Sequence, residues 1–211
     1  MSNDNKLTVN FTDGFNLLTN QTDFVVAFTE VNNNGQDKSA ESVKLTMEHQ
    51  LAKVKLIAST TSTTTAITVT KVQVKDISSI ANAATFSLNE NNKISASWSL
   101  SSDKSGVYTP YNEPDGGITL TEYDQTIFDN LLVFPEKEKI QLTIVVSYKE
   151  IDNNLETFAN VEKKGTLEVL WEAGKTYTYK VEFKPGPGIV ITPSRVAGWG
   201  TLDDIDHNFT D

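Results

Sequence analysis

This sequence predicts an all-β fold, an antiparallel β-sandwich, and three observations carry the prediction. Tyr177, Tyr179, Val181 and Phe183 fall on one parity, and Thr176, Thr178, Lys180 and Glu182 fall on the other. That period of two puts one face of a strand in a core and the other in water. Ile140, Leu142, Ile144, Val146 and Tyr148 repeat the pattern without error. Turn signals such as Asp13-Gly14, Asn32-Asn-Asn-Gly35 and Pro185-Gly-Pro-Gly188 recur between the apolar runs, and no helix-period segment outlasts about ten residues, the length that separates a helix from a buried strand.

Taken in order, Leu7, Val9 and Phe11 alternate as a first strand. The apolar run Asp23 to Val31 reads as a strand buried on both faces. Val43, Leu45 and Met47 alternate, and the pattern resumes on Ala52, Val54, Leu56 and Ala58, so the break at His49 predicts a bulge or strand bend. Ser59 to Thr65 is a hydroxyl-rich loop. Ile67 and Val69 lie on the opposite parity from Val72 and Val74, which places a second bulge near Lys71. Ala81 to Leu100 holds two short strands around Asn89-Glu-Asn-Asn92, with Phe86, Leu88, Ile94 and Trp98 inward. Ser101 to Gly117 is the longest loop, with Tyr108 and Tyr111 anchoring it or facing a partner.

Asp129 to Phe134 is a short apolar run stopped by Pro135. The clean strand through Tyr148 ends at the turn Asp152-Asn-Asn154. Leu167, Val169 and Trp171 alternate up to Ala173-Gly174-Lys175, where Gly174 supplies a positive φ. The piece from Leu167 to Phe183 therefore reads as a hairpin. Ile189 to Ile191 is a last short strand, followed by Val196, Trp199 and an acidic end.

The 211 residues, 38% hydrophobic and 22% charged, describe a globular chain long enough for one large β domain or one and a half ordinary ones. A net charge of -10 and a single arginine, Arg195, leave no basic footprint for nucleic acid. With no cysteine there is neither a disulfide framework nor a thiolate nucleophile. No run is long and apolar enough to span a bilayer. His49 and His207 lie far apart, and no nucleophile elbow, phosphate-binding glycine loop or zinc-spaced cluster is present. We expect no enzyme, no cofactor and no metal. The acidic patch Asp203, Asp204, Asp206 and Asn208 reads as a solvated tail, since its spacing does not fit a calcium loop. Asn10-Phe-Thr12, Asn20-Gln-Thr22 and Asn208-Phe-Thr210 match the glycosylation pattern, which arises often by chance. Trp98, Trp171 and Trp199 invite a sugar-platform reading, but each continues or ends a strand, which favours packing.

Three separated pieces together resemble the fimbrillin-like proteins of Bacteroidetes, the subunits and relatives of type V pili. The first is Val43-Lys-Leu-Thr-Met-Glu-His-Gln-Leu-Ala-Lys-Val54, like an apolar strand, His, Leu-Ala/Ser-Lys and a second apolar strand. The second is Leu131-Leu-Val-Phe-Pro135 before the long strand, with Glu136 where Gln is usual. The third is Trp171-Glu-Ala-Gly-Lys-Thr-Tyr-Thr-Tyr179, followed by an apolar strand and Trp199. The resemblance marks His49, Leu51, Lys53, Pro135, Trp171, Gly174, Tyr177, Tyr179 and Trp199 as structural motif positions. It implies a transthyretin-like sandwich, export through a lipoprotein precursor to the cell surface or outer membrane, and assembly in which a strand of one subunit fills a groove in the next. It also implies two such domains, of which this chain is expected to hold the C-terminal one at 39–211. Residues 1–38 are expected to be a strand segment, either edge strands or the remnant of a preceding domain.

The expected function is a non-catalytic pilus subunit or adhesin component that pairs with other subunits or with itself, or engages a host protein or glycan. The alternative is a monomeric surface lipoprotein that binds a glycan or host protein through its loops. For assembly, Leu7, Val9 and Phe11 form the candidate strand, because their alternation offers one apolar face to a groove. The segment from Trp199 to Phe209 is the poorer strand, since Asp203 and Asp204 sit together.

Overall fold

The computed structural model describes residues 6–10, 21–28, 46–75, 84–89, 95–100, 107–136, 138–152, 155–183 and 189–199. The elements among them are all strands: β1 (Lys6–Asn10), β2 (Val25–Phe28), β3 (Thr46–His49), β4 (Ala52–Thr60), β5 (Ala66–Lys75), β6 (Ala84–Asn89), β7 (Ser95–Leu100), β8 (Val107–Asn112), β9 (Ile118–Thr119), β10 (Gln125–Val133), β11 (Ile140–Asp152), β12 (Leu155–Val169), β13 (Lys175–Phe183) and β14 (Ile189–Gly198). They form a four-stranded sheet ordered β10-β4-β13-β14, a five-stranded sheet ordered β12-β11-β5-β8 with β9 beside β5, a three-stranded sheet β1-β6-β7, and the pair β2-β3. Phe11, Val43, Leu45, Ile94, Asn153, Asn154, His207, the acidic end and the turns at 13–14, 32–35, 90–92 and 185–188 lie outside the described residues.

The alternation in the sequence becomes the core. In β13, Tyr177, Tyr179, Val181 and Phe183 are buried, and in β11 so are Leu142, Ile144, Val146 and Tyr148. Ala52, Val54, Leu56 and Ala58 of β4 and Val69, Val72 and Val74 of β5 join them in one cluster. The two large sheets meet there: the Tyr148 ring stands edge-on to Phe183, with centroids 5.1 Å apart and planes at 73°. Each fully buried side chain of this kind contributes about 1.5–3 kcal/mol. The parity change in β5 is the expected bulge. Lys71 faces Ser147 and Val69 faces Tyr148, so Thr70 is the extra residue, and its hydroxyl donates to the Ser147 carbonyl at 3.2 Å.

A cluster of rings ties the smaller sheets to this core. Phe86 of β6 and Trp98 of β7 pack at 5.0 Å, Phe24 meets both, and Trp98 reaches Phe134 at 4.7 Å. The two strands around 90–94 pair as expected, Phe86 opposite Trp98.

Several local expectations change. The piece from Leu167 to Phe183 is not a hairpin. β12 pairs with β11, while β13 pairs with β4 and β14, so residues 170–174 arch from one large sheet to the other. The actual hairpin lies downstream, with Phe183 opposite Ile189. The break at His49 is the strand bend of the two alternatives, and it carries the chain between sheets: β3 pairs with β2, the chain bends at Leu51, and β4 enters the four-stranded sheet. Within the expected 101–117 loop, β8 pairs with β5, Tyr108 opposite Val74 and Tyr111 opposite Val72. Ser59 and Thr60 are buried at the end of β4 rather than in a loop. In the described part of the Asp23 to Val31 run, residues 23–28, the strand is β2, and its Val25, Val26 and Ala27 are half-buried rather than buried on both faces. Among the described residues one pair, β4 with β13, is parallel, and the other strand pairs are antiparallel.

Candidate functional site

Seven of the nine motif positions lie at one end of the four-stranded sheet, where four passages of chain meet: 49–53 entering β4, 134–136 leaving β10, 171–174 in the arch, and 198–199 at the end of β14; Tyr177 and Tyr179 lie on β13 and reach the arch through their hydroxyls. Gly174 has φ of 70°, a left-handed conformation that glycine adopts without steric cost. That turn aims its N–H at the Leu51 carbonyl at 2.9 Å and leaves its own carbonyl to accept from the Trp199 N–H at 2.8 Å. Glu136, next to Pro135, donates its backbone N–H to the Trp171 carbonyl at 2.9 Å. Buried backbone groups need such partners, so these bonds fix the crossing.

The side chains reinforce it. Trp171 is fully buried, and its indole N–H donates to the Tyr179 hydroxyl at 3.0 Å. The Tyr177 hydroxyl accepts from the Glu172 backbone N–H at 2.9 Å. Burial pushes the Tyr179 phenol up to about 12, against the indole donor, which favours the phenolate. Burial raises Tyr177 as well. Lys175 sits raised by its hydrogen bond to Glu172 and then by that residue's charge. His49 stacks on Trp199 with centroids 4.2 Å apart and planes at 8°, and its Nδ1 meets Asp23 Oδ2 at 2.6 Å. Lys53 places Nζ 5.9 Å from the centre of the Trp199 ring. Leu51 is fully buried beneath.

An open cleft of about 450 Å³ lies over this junction, bounded by Met47 to Gln50, by Ala173-Gly174 and by Gly198-Trp199. Several of its polar groups are engaged within the junction: His49 Nδ1 with Asp23, the Gln50 side-chain amide with the Glu48 carbonyl, and the Gly174 carbonyl with the Trp199 N–H. His49 has a carboxylate partner but no serine, threonine or cysteine among the residues bounding the cleft, and no group of His, Cys, Asp and Glu among the described residues could hold a metal ion. Among the described residues the arrangement fastens chain segments to one another.

The candidate assembly strand lies elsewhere. Leu7 and Val9 sit in β1, opposite Leu88 and Phe86 of β6. Asp23, which fixes His49, and Gln50, whose carbonyl accepts from the Trp98 indole at 2.8 Å, carried no signal in the sequence. Both act on residues far from them in the chain, and no periodicity reports that kind of bond. Gln21 is a third such residue: its carboxamide bonds both backbone groups of Leu132 on β10.

A family model described as Fimbrillin-like matches residues 2–199. No curated protein matches the chain. Among solved structures, a candidate cell adhesion protein from Bacteroides uniformis is 15% identical over 95% of this chain and 68% of that one, with a TM-score of 0.52. A fimbrial protein from Bacteroides vulgatus is 16% identical over 74% of this chain and 56% of that one, with a TM-score of 0.49. The chain thus spans 56% and 68% of the lengths of these two structures.

Proposed function

The chain belongs to the fimbrillin-like family, and from that premise we propose a non-catalytic structural protein of the cell surface, a pilus subunit or adhesin component that assembles by β-strand addition. One observation carries the reading. The residues best equipped for chemistry or ligand stacking, His49, Trp171, Tyr177, Tyr179 and Trp199, are bonded to one another and to backbone at a junction that holds two sheets together. A molecule whose reactive side chains act as fasteners is suited to bearing load. Sheet edges then supply the means of joining subunits, because an edge strand has unpaired backbone groups that another strand satisfies. The partners are further subunits or copies of this chain.

A test separates terminal-strand assembly from a monomeric role. Deleting residues 1–12 removes β1 and uncovers β6; we expect a lower melting temperature, recovered by adding a peptide of residues 1–12. Deleting residues 201–211 is expected to leave stability unchanged. If neither deletion alters stability or association, assembly through the termini is wrong.

The second reading, a surface lipoprotein that binds a glycan or host protein through its loops, is favoured by Tyr123. The residue is 73% exposed, yet its loop is pinned: the Tyr123 N–H donates to Thr121 Oγ1 at 3.2 Å and Asp124 pairs with Lys180 at 2.6 Å. An exposed aromatic held in place loses little entropy on binding.

A further inference from the structure

The four edges of the two large sheets are not equivalent. On β10 the Leu132 N–H donates to Gln21 Oε1 at 2.5 Å and Gln21 Nε2 donates to the Leu132 carbonyl at 3.4 Å, so a side-chain amide occupies the place of a neighbouring peptide. β14 carries Pro193 and slips register beside it, Thr178 facing Arg195 and Tyr179 facing Pro193. β8 carries Pro110 and slips between Val72 and Val74. Prolines and bulges are devices that turn further strands away. β12 has 15 residues and no proline; its register with β11 slips twice between Glu156 and Val161 but is unbroken from Val161 to Val169, and among the described residues no strand pairs with its other side.

Resting on the strand-assembly reading, we infer that the β12 edge takes a second copy of this chain, the two β12 strands running antiparallel about a two-fold axis through Thr166. The charges choose this register. Glu162, Lys164, Thr166 and Glu168 are exposed on the outer face, and Lys163 lies on the inner face with Nζ 5.4 Å from the centre of the Tyr148 ring. In a self-complementary pair the axis must pass through a residue if like faces are to coincide. An axis through Lys163 or Lys164 sets that lysine against itself. One through Gly165 sets Glu162 against Glu168, and one through Leu167 pairs no charges.

An axis through Thr166 sets Lys164 against Glu168 twice, Lys163 against Val169, and Leu167 against Gly165, whose inner face the Ile191 side chain of β14 already covers. Directly opposed unlike charges stabilise a strand pair and like charges weaken it. Glu168 lies 3.7 Å from Lys139 and Glu162 lies 3.9 Å from Lys71; exposed pairs like these are weak and exchange partners readily. Lys163 is an inward-facing charge on an edge strand, itself a device that resists pairing, and the Thr166 axis sets it against Val169 rather than against a second lysine.

The test uses the full chain in light scattering after size exclusion. A dimer is expected. Lys164→Glu should dissociate it to monomer, and Lys164→Glu combined with Glu168→Lys should restore it. Because the chain has no cysteine, Thr166→Cys should oxidise to a covalent dimer, and Glu162→Cys should not. Opposed Cα atoms in an antiparallel pair lie about 4.5–5.5 Å apart, within disulfide reach. Circular dichroism confirms that each variant is folded. A chain that is monomeric throughout, or a dimer indifferent to the charge reversal and cross-linked equally through either cysteine, overturns the inference. Association lost on deleting residues 1–12 but untouched by Lys164→Glu rejects this edge while leaving strand assembly standing; loss of neither rejects both.

Discussion

Trp171 is the residue whose removal tests the junction most directly. Its side chain is fully buried, and a tryptophan removes about 150–250 Å² from water. At about 25 cal/mol per Å² that amounts to roughly 4–6 kcal/mol of transfer free energy as an upper bound. Partial collapse of the surroundings brings the expected cost of Trp171→Ala to about 3–5 kcal/mol. The hydrogen bond to Tyr179 can be isolated in a cycle. Tyr179→Phe leaves the indole N–H buried without its acceptor and should cost about 1–3 kcal/mol. Trp171→Phe keeps a ring but removes the donor from a buried phenol. With both changes made, neither polar group remains, so the double variant should be more stable than the two single costs predict by about 1 kcal/mol. Urea denaturation followed by far-UV circular dichroism gives all four free energies. A Trp171→Ala loss under about 1 kcal/mol, far below the usual cost of an emptied aromatic site, would mean that the arch does not hold the two sheets together. A zero coupling term would refute the role given to the indole N–H.

Two further outcomes follow from backbone and phenol chemistry. Gly117 has φ of 119°, and a Cβ there would press on the Val69 carbonyl oxygen, so Gly117→Ala should lower stability by about 1–3 kcal/mol in the same denaturation assay; an unchanged midpoint would contradict the strain. Burial holds Tyr179 at about 12, and burial followed by the charge and hydrogen bond of Glu150 holds Tyr148 at about 12, against 10.0 for a free phenol. The folded chain keeps these protons after the unfolded chain has released them. Stability is therefore fully present below pH 10 and falls between pH 10 and 12, with Tyr179 contributing at most about 3 kcal/mol before solvent screening reduces it. Melting temperatures across that range that ignore Tyr179→Phe would show the phenol to be unperturbed.

Period-two alternation is a local property, and it located the buried faces of β11 and β13 residue by residue because burial on one side of a strand leaves its mark on every second position. The pairing partner of a strand is not local. A glycine turn between two alternating runs looks the same whether the chain folds back on itself or crosses to another sheet, which is why the Leu167 to Phe183 piece read as a hairpin. Pro110 and the polar residues around Tyr108 and Tyr111 disguised β8, since an edge strand with a proline and a register slip carries turn chemistry inside a ladder. The motif positions could be picked out by resemblance, but their common location needed the fold. His49 meets Asp23 and Trp199, and Gln21 meets Leu132, 111 residues away, through contacts that no window of sequence contains.

The parallel pairing of β4 with β13 also governs when the molecule can fold. Thr60 donates its hydroxyl to the carbonyl of Phe183, 123 residues later, and the two strands stand side by side in the middle of their sheet. A chain made from its N-terminus exposes the apolar face of β4 long before β13 exists to lie beside it. Closing so large a loop loses chain entropy before any native contact repays it, so topology of this kind folds slowly. At roughly 5–20 residues per second of synthesis, β4 waits for several seconds with its neighbour still unmade. During that interval β4 has at most β10 beside it and its other edge stays open, and the cell must either shield that edge or keep the chain extended until its last third has been delivered.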